Sequence, residues 1–256
     1  MRDLILCILV ASLIMLSGIS GGKIQAAGES LALFLPFDEG GGDEVRDFSM
    51  YGNDGTLQGL NGKPVWGGGH YGTALEFTVG GQNSWVEVPH SDSLNITGEI
   101  TMMAWVMNKG QTTWGRVMDK NHPYLLYMGT DDSIGAYALG IVDFHTARIP
   151  VIKDEWMHVA GVLDGSELML YVNAELAETT AAAGDVPEGS NPLTIGDAMG
   201  DQWLHTRPFV GLIDEVKIFS KALSAEEIGE AMNPSKLAVQ PSAKLAASWG
   251  RIKNHF

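Results

Sequence analysis

The chain has 256 residues, 31 of them acidic and 16 Lys or Arg, for a formal charge of −15, with a single cysteine. So acidic a body repels polyanions, which makes nucleic acid and anionic membrane surfaces poor partners. The charge is uneven: residues 28–233 hold 30 acidic and 10 basic side chains, whereas residues 234–256 hold four basic and no acidic ones.

The N-terminus reads as a secretory leader over residues 1–27. Met1-Arg2 precedes an apolar run from Leu4 to Leu16, too short to span a bilayer comfortably, and small residues follow it. Cleavage is expected after Ser20 or Ala26, with an uncleaved anchor as the alternative. Cys7 lies inside the apolar run, so the exported chain would have no thiol and would rely on its core or on metal. Beyond the leader no apolar stretch is long enough to cross a membrane.

Residues 28–232 suffice for one sizeable core. Short apolar or alternating runs recur at Leu31–Phe37, Leu75–Val79, Trp85–Val88, Ile100–Met107, Tyr124–Met128, Ala136–Val142, His158–Leu163, Leu168–Val172 and Phe209–Phe219. Gly-bearing turns separate them, among them Gly52-Asn-Asp-Gly55 and Asp164-Gly165, a pattern that predicts an all-β sandwich of antiparallel sheets. Ile100–Met107 is apolar at both parities, which places it centrally with both faces covered. In Phe209–Phe219 one parity holds Val210, Leu212, Asp214, Val216 and Ile218, so strict alternation points Asp214 toward the core. Ser224-Ala-Glu-Glu227 is a capping box opening one short helix that runs to about Met232. Residues 233–256 read as a basic tail in which Trp249 stands out.

Several segments, in order, resemble the laminin-G-like jelly-roll domains of the concanavalin-A-like lectin/glucanase superfamily, in their bacterial secreted form. They are Phe37-Asp-Glu-Gly40, Gly52-Asn-Asp-Gly-Thr-Leu57, His70-Tyr-Gly-Thr-Ala-Leu-Glu-Phe77, Ala104-Trp-Val106, Trp156-Met-His-Val-Ala160, Leu170-Tyr-Val-Asn173, Phe209-Val-Gly-Leu-Ile-Asp-Glu-Val216 and Ala222-Leu-Ser-Ala-Glu-Glu-Ile228. The resemblance covers residues 30–230 and implies two antiparallel sheets face to face. The family includes glycan-binding modules, adhesion modules and glycosidase appendages, so fold does not settle function. This chain departs from the pattern at Asn173-Ala174, where Asp-Gly is common, and it lacks the mid-domain cysteine pair found in many members.

In such domains the first and last strands lie together and hold structural calcium. A carboxylate on an apolar strand is costly to bury without partners, and calcium takes six to eight oxygens. The expected calcium set is Asp38, Asn53, the Gly55 carbonyl and Asp214, with Asp47 a further participant. The competing reading is that these acids cap turns. The histidines show no paired ligand spacing for transition metals, and His158 reads as a satisfied strand histidine. Glycosidases of the superfamily place two acids on one strand face, which requires i, i+2 spacing. No two Asp or Glu residues in this chain have it, so the expectation is a binder and not an enzyme.

Aromatic rings are the platforms on which sugars stack. Trp105 and Trp156 occupy family core positions. Trp114 and Trp203, in polar segments, are the candidates for a ligand face, together with His122, Tyr124, Asp131, Asp132 and His205. The expected function is that of a secreted, calcium-stabilised carbohydrate-binding module. The alternative is an extracellular protein-adhesion or structural module on the same fold, and a glycoside hydrolase ranks third.

Overall fold

The structure is a computed structural model that describes residues 29–77, 83–110, 114–144, 147–198 and 206–233. The expected leader and nearly all of the basic tail lie outside these residues, as do Trp203, His205 and Trp249. No helix among the described residues is long and apolar enough to cross a membrane.

Among the described residues sixteen strands follow one another. The first half of the chain forms β1 (Leu31–Leu35), β2 (Glu44–Val45), β3 (Gly55–Gly59), β4 (Val65–Gly68), β5 (Thr73–Phe77), β6 (Ser84–Val88) and β7 (Ile100–Asn108). A central group contains β8 (Gly115–Asp119), β9 (Tyr124–Met128), β10 (Ser133–Ala138) and β11 (Arg148–Pro150). The remainder is β12 (Trp156–Leu163), β13 (Glu167–Val172), β14 (Glu175–Ala181), β15 (Leu193–Ile195) and β16 (Gly211–Phe219), then helix α1 (Ala225–Ala231). As expected, Ser224 caps α1, exchanging bonds with the Glu227 backbone and side chain.

Two antiparallel eight-stranded sheets result. The first runs β14-β13-β12-β7-β16-β5-β4, with β1 also paired to β16; the second runs β11-β10-β9-β8-β15-β6-β3-β2. Their inner faces enclose the main core, which includes Leu33, Phe37, Leu75, Ile100, Val106, Leu126, Ile134, Ile195 and Ile218. Strand β7 sits mid-sheet between β12 and β16, and its outer face is covered as well, in keeping with its two apolar parities. A smaller cluster of Leu31, Phe34, Met103, Tyr171, Phe219 and Ile228 seals α1 onto that outer face.

Two features depart from strict alternation. In β16 the register slips between Asp214, opposite Trp105, and Lys217, opposite Met103. Glu215 there adopts φ 54°, so two residues face one and every later side chain changes side. Ile213, Val216 and Ile218 therefore fill the inter-sheet core, while Asp214 lies on the outer face and not, as alternation implied, among the core residues. At the β13–β14 hairpin Asn173 and Ala174 both take positive φ, 50° and 67°. The Asn173 carboxamide braces this turn by accepting the His158 amide at 3.0 Å.

Candidate functional site

The outer face of the second sheet carries a side-chain cluster apart from the main core. Val117 is an extra residue in β8: Arg116 pairs with Tyr127 and Met118 with Leu126. Residues three apart on a regular strand point to opposite faces, but this bulge turns both Arg116 and Asp119 outward. Arg116 Nε donates to Asp119 Oδ2 at 3.0 Å, with side-chain exposures of 3% and 1%. Arg116 Nη1 also donates to the Trp114 carbonyl at 2.9 Å, and its guanidinium lies 5.2 Å from the Phe144 ring centre.

Around this pair stand four rings. Trp114 meets Tyr127 at 5.6 Å and Phe144 at 5.7 Å; Phe144 meets Tyr127 at 4.9 Å and stacks on Tyr137 at 4.2 Å and 15°. Gly135 makes room for Tyr127, since a Cβ there would lie 2.8 Å from the phenol oxygen. Tyr127 and Tyr137 are buried, whereas Trp114 and Phe144 stay half-exposed and present an aromatic shelf. Nearby, Asp197 Oδ1 accepts the Ala198 and Arg207 amides, and burial pushes its carboxyl up to about 6. Burial, then Asp143, raises the Tyr137 phenol.

The expected ligand residues divide across this face. Trp114 belongs to the shelf. Asp131 and Asp132 lie in the β9–β10 turn at the same end, because Gly115 pairs with Met128. Asp131 takes Ser133 Oγ at 2.5 Å and Arg148 at 2.7 Å. His122 sits at the opposite end of β8, about 13 Å away at some 3.3 Å per residue, where its amide donates to Asp119 Oδ1. Tyr124 is a correction: it belongs to the inter-sheet core, fully buried, with its hydroxyl donating to the Leu94 carbonyl at 2.8 Å. Burial raises that phenol far above the ordinary range. The sequence reading missed Arg116, Asp119, Tyr127, Tyr137 and Phe144. Its one available signal was that Tyr127 and Tyr124 stand at opposite parity in β9, so both cannot face inward.

The expected calcium ligands also separate. Asp47 is saturated: Oδ1 accepts the Phe34 and Ser49 amides, and Oδ2 accepts Ser49 Oγ and the Asn53 amide. Asn53 Nδ2 donates to the Ala32 carbonyl and Ser93 Oγ, and Gly55 lies in the β2–β3 ladder. These three fasten the 47–55 loop. Asp38 and Asp214 instead converge on the turn at residues 69–73, accepting the Thr73 and Tyr71 amides respectively at 3.0 Å. A Cβ on Gly69 would meet Tyr71 O at 2.4 Å, Thr73 O at 2.6 Å and Asp214 Oδ2 at 2.7 Å. Asp214 is fully buried with Oδ1 unpartnered, and burial pushes its carboxyl up to about 7. Among the described residues no three His, Cys, Asp or Glu side chains form a metal-holding group, so a cation here would depend on the turn carbonyls. Asp38 and Asp214 fit a calcium ligand set; Asp47, with both oxygens taken, does not, and Asn53 and Gly55 belong to the 47–55 loop.

His158 corrects another expectation. It is fully buried beside Trp105, 5.3 Å between ring centres, and neither ring nitrogen has a partner. Trp105 is stacked under His70 at 3.5 Å and donates Nε1 to the Met232 carbonyl at 3.2 Å, tying the end of α1 to the sheet.

A laminin G family model, described as the concanavalin A-like lectin/glucanases superfamily, matches residues 80–229. No curated protein matches the chain. Domain 4 of AbnA, a GH43 extracellular arabinanase from Geobacillus stearothermophilus solved in complex with arabinotriose, superposes with a TM-score of 0.63 at 20% identity, covering 80% of this chain and 98% of that one. The binding domain of botulinum neurotoxin DC, in complex with rat synaptotagmin II, gives 0.60 at 13% identity over 81% of this chain and 52% of the toxin domain. A botulinum neurotoxin type C structure, whose cell entry depends on two ganglioside molecules, gives 0.58 at 12% over 84% and 53%. The chain thus spans about half of each of these two toxin structures.

Proposed function

Because the chain belongs to the concanavalin A-like lectin/glucanases superfamily, we propose that it is an exported carbohydrate-binding module whose ligand stacks on Trp114 and Phe144. The observation that carries this reading is the half-exposed shelf, backed by buried Tyr127 and Tyr137 and locked by the Arg116–Asp119 pair. Rings fixed from behind lose little freedom when a sugar settles on them. The AbnA domain bound to arabinotriose supports a sugar as ligand, and the apolar leader supports export. Binding suits the face better than catalysis, since Asp119 is paired with Arg116 and both it and Asp197 are buried, at 1% and 0% exposure, out of a ligand's reach.

A glycan array followed by calorimetry on the best hit tests the proposal. Trp114→Ala and Phe144→Ala should each weaken binding at least tenfold, while far-ultraviolet dichroism stays that of the parent. If both variants bind every hit as well as the parent, the shelf is not the site. Capture of a protein ligand instead would favour the adhesion reading, in line with the synaptotagmin-bound neighbour.

We also propose that calcium, held by Asp38, Asp214 and the 69–73 turn, stabilises the fold. A cation that binds only the folded state adds about 2.7 kcal/mol at a hundredfold excess over Kd. Chelator should lower Tm, and Asp214→Asn should abolish the difference. Equal melting in chelator and excess calcium would refute the site.

A further inference from the structure

The loop between β2 and β3 carries an apolar ridge left uncovered among the described residues. Phe48, Met50 and Tyr51 stand 56%, 70% and 46% exposed within four positions. The backbone beneath them is fastened. Asp47 accepts the Ser49 and Asn53 amides, and the Phe48 amide donates to the Phe34 carbonyl at 2.8 Å. Apolar side chains presented together on a fastened loop mark a contact surface and lose little freedom on docking. Phe48 also walls an open cleft of about 750 Å³ whose lining includes Glu39, Asp43, Glu44 and Arg46. Asp43 is bridged to Lys63 at 2.7 Å. Glu39 Oε1 accepts the Arg46 amide, while its Oε2, shielded from solvent, has no partner. Ridge and cleft together fit a segment that is apolar and basic at once.

The same chain supplies one. Residues 234–256 hold Lys236, Lys244, Arg251 and Lys253 and no acid, with Trp249 and Ile252 standing among the last three cations. We propose that residues 244–253 dock on the ridge, Trp249 against Phe48 and the cations against Glu39, Asp43 and Glu44. The described chain leads there. Met232 packs in the same cluster as Phe34, whose ring centre lies 6.1 Å from that of Phe48. The Met232 carbonyl is also bound to Trp105, under His70, in the turn held by Asp38, the chain neighbour of Glu39. From Asn233 to Lys244 the backbone can span up to about 36 Å, ample for a ridge that begins beside Phe34. The attraction acts before contact, because residues 28–233 carry 30 acidic against 10 basic side chains. While docked, the segment is withheld from outside partners, and salt releases it.

Trypsin cleavage after Lys244 and Arg251, followed by mass spectrometry on the full chain in excess calcium, tests the docking. In low salt both cuts should run at least tenfold slower in the parent than in Glu39→Gln/Asp43→Asn/Glu44→Gln or in Phe48→Ser. Half-molar salt should erase the difference. The amide substitutions remove charge and keep an acceptor for the Arg46 amide, and an unchanged Tm confirms that each variant remains folded. If both cuts run as fast in the parent as in the variants, the segment does not dock and the inference falls. If the charge variants lose protection but Phe48→Ser keeps it, the ridge is not the seat. If protection rises with protein concentration and sedimentation shows dimers, the occupant is the tail of a second copy, which overturns docking within one chain.

Discussion

The two outer faces of the sandwich are built from the same materials and used in opposite ways. On the first sheet Trp105, His70 and His158 pack over a row of charges, Asp214, Glu215 and Lys217, with Glu215 and Lys217 bonded at 2.5 Å and almost fully buried. On the second sheet Trp114, Tyr127, Tyr137 and Phe144 pack over Arg116 and Asp119. The first face is closed by α1, whose end is tied to Trp105, and by the 69–73 turn, tied to Asp214. The second leaves two rings half-open. Aromatic rings beside buried ions are therefore not a site by themselves. What decides is whether the chain covers them.

The largest effect should come from His158. Burial, with Lys217 and His70 nearby, pushes its imidazole down to about 3. The unfolded chain takes up a proton near pH 6.5 and the folded one does not, so stability is intact above that pH and falls as pH drops toward 3. The loss is up to about 5 kcal/mol. Urea melts of the parent and His158→Gln at pH 7 and pH 4 isolate the imidazole from Asp197 and Asp214, whose raised carboxyls act in the opposite sense, and the parent should lose stability relative to the variant as pH falls. A difference between parent and variant that does not change over that range would break the contrast between the faces.

Trp105→Ala should behave as a core deletion, costing about 3–5 kcal/mol, because its ring carries the His70 stack and the anchor to Met232. Denaturant melts measure the loss, and glycan affinity of the protein that remains folded should be unchanged.

On the open face Asp197 should titrate with the opposite sign. Its folded carboxyl is raised to about 6, against about 4 in the unfolded chain, so stability is highest at low pH and falls as pH rises from 4 to 6. The size is about 3 kcal/mol, and Asp197→Asn, compared with the parent in a His158→Gln background, should remove it. Smallest in stability, and largest in binding, is Trp114→Ala. It should cost no more than about 1–2 kcal/mol in folding while losing the tenfold or more in affinity proposed above.

Much of this architecture was legible. The alternating runs located the strands, Ile100–Met107 announced a central one, and Ser224 with Glu227 marked the helix start. Local chemistry suffices there, because period and capping are properties of neighbouring residues. The candidate site was legible only through Trp114. Tyr127, Tyr137 and Phe144 meet because β8, β9 and β10 pair side by side, and no local signal distinguishes them from core aromatics such as Tyr124.

The amino-acid sequence by itself determined the β-sandwich, the cappable helix and an acidic surface, since apolar periodicity and charge count act through short range and composition. The tertiary structure alone decided which way the chemistry faces. One extra residue at Val117 brings Arg116 and Asp119 onto the shelf, and one at Glu215 takes Asp214 out of the core. A single bulge inverts every parity beyond it, and whether a strand bulges is set by the register of its partners. The same long-range pairing sent Asp38 to Asp214 and kept Asp47 to its own loop, a separation invisible in a list of carboxylates.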